Sequence, residues 1–122
     1  MMTPPIFTAI SNSSAVTALL GTNPVRFFMF GMAPDNVQYP YAVWQVVSGS
    51  PENYLNNRPQ IENHVIQIDV YSNSAATSRD ILSKIEYALE DKCHVVRYGG
   101  ESRDPETKNY NSSMDVEWWV NR

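Results

Sequence analysis

With 122 residues, 43% of them hydrophobic and 11% aromatic, the chain has enough apolar material for one core, and global disorder is excluded. Nine Lys and Arg stand against thirteen Asp and Glu, a formal net charge of -4, which argues against a nucleic-acid or anionic-membrane binder. Cys93 is the sole cysteine, so no internal disulfide framework exists.

The first ten residues, MMTPPIFTAI, have no basic stretch and no apolar run long enough for a signal peptide, and no later segment reads as a membrane span. The expectation is a soluble, cytoplasmic protein. Pro4 and Pro5 suit the first turn of a helix, and Ile6, Phe7 and Ile10 give it an apolar stripe. Ser11 to Ser14 interrupts it. A second short helical stretch, capped by Ser13 or Ser14, carries Val16, Leu19 and Leu20 and stops at Gly21. Together they read as one short, broken helix.

Val25 to Phe30, rich in aromatic residues and bounded by Pro24 and Gly31, predicts a strand. A second strand follows from Tyr41 to Gly49. In the third, Ile66, Ile68 and Val70 point to a buried face while Gln67, Asp69 and Tyr71 point to a polar one. The period then switches, and Ile81, Leu82, Ile85, Ala88 and Leu89 fall on one side of a helix opened by Ser72 or Ser74, with Lys84, Glu86 and Glu90 on the wet side. His94 to Tyr98 and Ser112 to Val120 close the chain as strands, the last alternating Met114, Val116, Trp118 and Val120 against Asp115, Glu117 and Trp119. Residues 1–122 thus read as a single domain of the α+β class: a mostly antiparallel sheet of about five strands with two helices on one face. Long polar connections are expected at about 50–62 and 99–112.

Catalytic constellations are weakly supported. Cys93 and His94 are neighbours in a strand and point to opposite faces, so they cannot share a proton. His64, beside Glu62 and Asn63, reads as a solvated start of a strand. Asp104 and Glu106 flank Pro105, where turn chemistry accounts for both. No cofactor and no metal is expected. Asp69 suits a solvated face or a contact between subunits. Trp118 and Trp119 are adjacent, so one enters the core and the other lies on the outer face, as an interface residue would.

"PPIFTAI", "AVTALLG", "YPYAVWQVVSGSPENYL", "HVIQIDVYS", "SRDILSKIEYALED" and the ending "DPETKNYNSSMDVEWWVNR" together resemble the tail-completion, or tail-terminator, family of long-tailed bacteriophages. The likeness runs in order over nearly the whole chain. Pro40-Tyr41, the Gly49 to Pro51 turn, "QIDVYS" and "DPET" with its aromatic strand are the most specific pieces. The resemblance implies a non-enzymatic virion protein, made in the host cytoplasm, that forms a ring on the head-proximal end of the tail tube. As a hexameric homo-oligomer it would stop tube growth and meet a head connector, with DNA passing through unbound and no membrane partner. One departure stands out. The family often carries an Arg shortly before the last strand, where this chain has Asn109-Tyr110-Asn111.

A ring subunit contacts like neighbours and different rings above and below. On this reading the interface includes Pro51, Glu52, Asn53, Tyr54, Leu55, Asn56, Asn57 and Arg58 in the first connection, Asp69 on its strand, Arg103 and Asp104 in the second connection, and Trp119. The alternatives are another small phage neck or connector protein, a non-phage protein-binding adaptor, or, less favoured, a small hydrolase using His64 or His94.

Overall fold

A computed structural model describes residues 4–51 and 61–121. Helix α1 (Ile6–Ser11) follows Pro5 and lacks a side-chain cap. Helix α2 (Ser14–Leu20) is opened by Ser13, whose hydroxyl accepts from the Val16 N–H at 3.4 Å, and ends at Gly21, where φ is 85°. A Cβ there would stand 2.8 Å from the Arg26 guanidinium as well as needing positive φ, so glycine suits both demands. Arg26 in turn donates to the carbonyls of Leu19 (3.2 Å) and Pro40 (2.8 Å), tying the end of α2 to the approach to the second strand.

Five strands follow: β1 (Phe27–Met29), β2 (Tyr41–Pro51), β3 (Ile61–Ser72), β4 (Cys93–Arg103) and β5 (Tyr110–Asn121), with α3 (Ala75–Leu89) between β3 and β4. Ser74 caps α3, accepting from the Thr77 N–H at 3.4 Å. The sheet order is β1-β2-β3-β5-β4. β3 is the centre, antiparallel to β2 on one side and to β5 on the other, the second pairing unbroken from Ile61↔Asn121 to Ser72↔Tyr110.

The helices cover one face. Ile66, Ile68 and Val70 of β3, Met114, Val116 and Trp118 of β5, and Ile81, Ile85 and Leu89 of α3 form one core with Ile6, Ile10, Val16 and Leu20 of the first two helices. Gln67, Asp69 and Tyr71 on β3 and Asp115 and Glu117 on β5 face the other way and stay half-buried, as the alternation requires. At the junction of β3 and α3, the buried hydroxyls of Ser72 and Ser78 lie 2.7 Å apart.

The α+β class holds, with two corrections. The sheet is mixed, because β1 lies parallel to β2 (Phe27↔Ala42, Met29↔Trp44). Parallel neighbours usually need a crossover of a dozen residues or more, but a strand as short as β1 needs only the return over 30–40. The broken helix is two separate helices, so three helices rather than two pack on the face.

Four side chains also depart from expectation. Phe7 is exposed although Ile6 and Ile10 are buried. Leu82 and Ala88 are half-buried at the margin of the α3 stripe. His64 is fully buried, because β3 begins at Ile61 and the inward alternation runs back through it, opposite Trp118. Asn63, one of the polar neighbours that suggested a solvated start to the strand, takes the opposite, half-buried side.

Replacing Ile68 by Asp places an unpaired charge on the fully buried face of β3 and is expected to cost about 4 kcal/mol or more, unfolding the domain. Thermal and urea denaturation, with Asp69→Asn as the mild neighbour control, checks the register directly.

Candidate functional site

The uncovered face of the sheet carries a tyrosine row at one end. Tyr41 and Tyr71 are register partners on β2 and β3, and their rings stack with centroids 5.1 Å apart and planes 20° from parallel. Tyr39 packs on Tyr41 at 5.2 Å with its plane tilted by 56°. Asn111 of β5 continues the row beside Tyr71. These side chains, with Ser102, Arg103, Asp104 and the turn after β4, line a cleft of about 470 Å³.

The turn closes the far wall. Asp104 Oδ1 accepts from the Glu106 N–H (2.8 Å) and the Thr107 N–H (3.4 Å), its backbone pairs with Asn109 and Lys108, and Lys108 takes a positive φ of 62°. Much of the connection expected over 99–112 is therefore strand and hairpin: β4 runs to Arg103 and β5 resumes at Tyr110. Gly99 matters there, since a Cβ would collide with the Ser113 hydroxyl of the adjacent strand. Arg103 sits over the Tyr110 ring, 5.4 Å from its centroid, a cation–π contact that holds the guanidinium at the cleft rim.

Asp69 lies one pleat along β3 from Tyr71. Gln67 donates to its Oδ2 at 3.0 Å and Asn111 to its Oδ1 at 3.5 Å. Burial pushes its pKa up, against the lowering effect of those two amides, and the nearby Asp115 adds to the rise. Burial likewise pushes Tyr41 up to about 12, helped by Tyr39 and Tyr71, and raises Tyr71 with Asp69 next in importance. Tyr41 and Tyr71 therefore present neutral hydroxyls. The other two acids of this face have cationic or basic neighbours across the β4–β5 ladder: Asp115 faces Arg97 and Glu117 faces His94, each at 3.6 Å.

The sequence-predicted interface residues divide between opposite ends of the sheet. Arg103 and Asp104 line the cleft, and Asp69 lies beside it, bonded to the lining residue Asn111. Pro51 ends β2 at the other end, its backbone opposite Glu62. Trp119 is there too, paired through its backbone with Asn63, its side chain outside the described residues. Glu52, Asn53, Tyr54, Leu55, Asn56, Asn57 and Arg58 also lie outside the described residues. Sequence reasoning missed the tyrosine row: Tyr39, Tyr41 and Tyr71 are brought together only by the β2–β3 register. It also missed exposed Met29, Phe30 and Met32 at the β1 edge, which an aromatic run longer than its three-residue strand could have signalled.

The candidate catalytic groups are dispersed. Cys93 is buried, its thiol 3.4 Å from the Leu89 carbonyl and pushed up to about 11 by burial and Asp91, so it is protonated at neutral pH and a poor nucleophile. His94 lies on the exposed face of the same strand. Among the described residues, no group of three or more His, Cys, Asp or Glu could hold a metal ion, and no helix is long and apolar enough to cross a membrane.

The fold itself is that of known virion proteins. A chain of the virion of a native gene transfer agent particle superposes with a TM-score of 0.76 at 12% identity, covering 96% of this chain and 92% of its own. The gp17 protein of bacteriophage SPP1 superposes with a TM-score of 0.57 at 14% identity, covering 96% and 86%. No curated relative matches the sequence significantly. The tail completion protein gp17 family matches residues 4–121, and the chain belongs to that family. It is a structural protein of the phage virion, located in the tail, where it serves the joining of tail and head.

Asp69 supplies a prediction with a defined sign. A carboxyl whose pKa is raised on folding is more readily ionised in the unfolded chain, so its ionisation removes stability as pH rises from the ordinary carboxylate range through the folded value. Asp69→Asn is therefore expected to be at least as stable as the parent near pH 7, with that advantage lost near pH 3. Paired thermal melts at the two pH values check it. Asp104→Ala, which removes the acceptor that closes the hairpin, should cost about 1 kcal/mol.

Proposed function

We propose that the protein assembles as a hexameric ring on the head-proximal end of the tail tube, ends tube polymerisation there, and presents its other face to the head connector. The observation that carries this reading is family membership over residues 4–121. The geometry is compatible with it in having a tyrosine-lined cleft beside a tight hairpin at one end of the sheet and the tips of β2, β3 and β5 at the other. A heterologous contact needs two unlike surfaces on the same subunit, and it closes into a ring when the rotation permits.

The mechanism is occlusion, with no bond made or broken. A ring docked on the last tube ring covers the surface to which another tube subunit would add. The buried thiol and the dispersed histidines favour a structural role over an enzymatic one. Six copies would carry a formal charge of six times -4, that is -24, which leaves few basic contacts to retain phosphates and suits passage of DNA without specific binding. Pro51, the segment from Glu52 to Arg58, and Trp119 would form one contact surface with the neighbour or the tube, and Asp69, Arg103 and Asp104 the other.

Electron microscopy of tails should show an additional ring at the head-proximal end, and phage lacking the protein should give overlong or unjoined tails with tail-less heads. A ring found at the host-facing tip refutes the assignment. Replacing Pro51 to Pro59 by a few Gly and Ser residues should leave the melting temperature nearly unchanged, because loop-closure entropy varies slowly with length, yet abolish joining. Cys93→Ala and His94→Gln should leave infectivity intact; loss of infectivity in either folded, ring-competent variant would favour an enzyme.

A further inference from the structure

We propose that the apolar turn after β1 is a docking finger that enters the tyrosine-lined cleft of a second copy of this chain. The inference rests on the reading that copies of the chain associate head to tail.

The backbone holds the finger in place. The Met32 N–H donates to the Met29 carbonyl at 3.0 Å, and the Phe30 N–H donates to the Trp44 carbonyl of β2 at 2.9 Å, so the four-residue turn from Met29 to Met32 is pinned to the sheet. Gly31, at its third position, takes a φ of 77°, which glycine adopts without strain. Exposed turns are usually made of polar residues. This one leaves Phe30 60% and Met32 64% exposed, with Met29 exposed beside them. Large apolar side chains on a backbone that is already ordered lose less conformational freedom when they dock.

The cleft suits that chemistry. Tyr39, Tyr41 and Tyr71 line it, and their rings accept a phenyl group in tilted or offset contact and methionine sulfur at their edges. Its volume of about 470 Å³ falls within the range of about 300–1,000 Å³ typical of sites that enclose a ligand. Met29, Phe30 and Met32 do not line it, so within one copy both surfaces stay uncovered.

Charge orients the contact. Lys108 lies between the lining residues Thr107 and Asn109. Among the described residues it is the one Lys or Arg whose side chain has no ion pair, hydrogen bond or ring contact, the others being engaged within the chain. On the finger side, Asp35 stands three positions beyond Met32, in a second turn closed by the Val37 N–H on the Pro34 carbonyl at 3.1 Å. It is exposed and likewise unpaired among the described residues. With the finger seated, Asp35 of one copy meets Lys108 of the next. In that hairpin Asp104 is committed to its own backbone N–H groups, which leaves exposed Glu106 as the carboxylate that Asp35 has to avoid. Finger and cleft are unlike surfaces, so the contact repeats head to tail, as ring growth requires.

The tests use the full protein. In assembled tails, Met32→Cys combined with Ser102→Cys on a Cys93→Ala background should give disulfide-linked chains, since Ser102 lines the cleft. Adding Phe30→Ala should lower the linked fraction about tenfold or more with the melting temperature unchanged. In the otherwise unaltered protein, Asp35→Lys and Lys108→Asp should each lower the yield of joined particles about threefold, and the two together should restore it. Head-proximal rings that never cross-link, or a charge-swapped pair no better than either single variant, overturn the finger-and-cleft contact and leave the ring reading intact. Absence of any ring at that end refutes the proposed function instead.

Discussion

The antiparallel ladder of β3 with β5 is the constraint from which the remaining geometry follows. Side chains alternate with a period of two, so the pairing from Ile61↔Asn121 to Ser72↔Tyr110 assigns every residue of two long strands to a face at once. A slip of β3 by one residue along β5 would turn Ile66, Ile68 and Val70 to solvent and Gln67, Asp69 and Tyr71 into the core. Exposing three fully buried apolar side chains while burying a carboxylate makes that alternative far too costly. With this ladder set, α3 has one surface on which its Ile81, Ile85 and Leu89 stripe can lie.

The edges of the sheet are handled differently from its centre. β4 is an outer strand, and register shifts between Val95 and Arg97 and between Tyr98 and Glu101 disrupt its outward row of backbone groups, which discourages uncontrolled edge pairing. Side-chain contacts return the strand to the helix layer: Arg79 bonds both oxygens of Glu101 at 2.7 and 2.9 Å, and the Tyr98 hydroxyl donates to Glu86 at 2.9 Å. These are exposed pairs that orient the edge more than they stabilise it. The blunted β4 edge contrasts with the two ends of the sheet, where the strand tips lie.

Those ends owe their character to strand order. Placing β3 between β2 and β5 puts the start of β2, the end of β3 and the β4–β5 hairpin together, so Tyr41, Tyr71, Asn111 and Arg103 meet although they are spread over more than sixty positions of sequence. Desolvation at the same place raises the pKa of Asp69 and of both β-strand tyrosines. Neutral phenols therefore stand beside a partly buried carboxylate at this end of the sheet.

By itself the sequence determined the periodicities, and with them the α+β class, the inward faces of β3, β5 and α3, the helix starts at Ser13 or Ser14 and at Ser72 or Ser74, the helix stop at Gly21, the opposed directions of Cys93 and His94, and the turn role of Asp104. Each of these depends on residues close together in the chain, where backbone geometry alone relates them. Tertiary structure decided what depends on partners far apart: that β1 runs parallel to β2, that β3 extends back far enough to bury His64 opposite Trp118, that Gly99 to Arg103 continues a strand, and that three separated tyrosines form one cleft. A polar residue such as His64 has no local signal of its side; its burial is settled by which strand lies across from it, and that choice is made by the whole sheet.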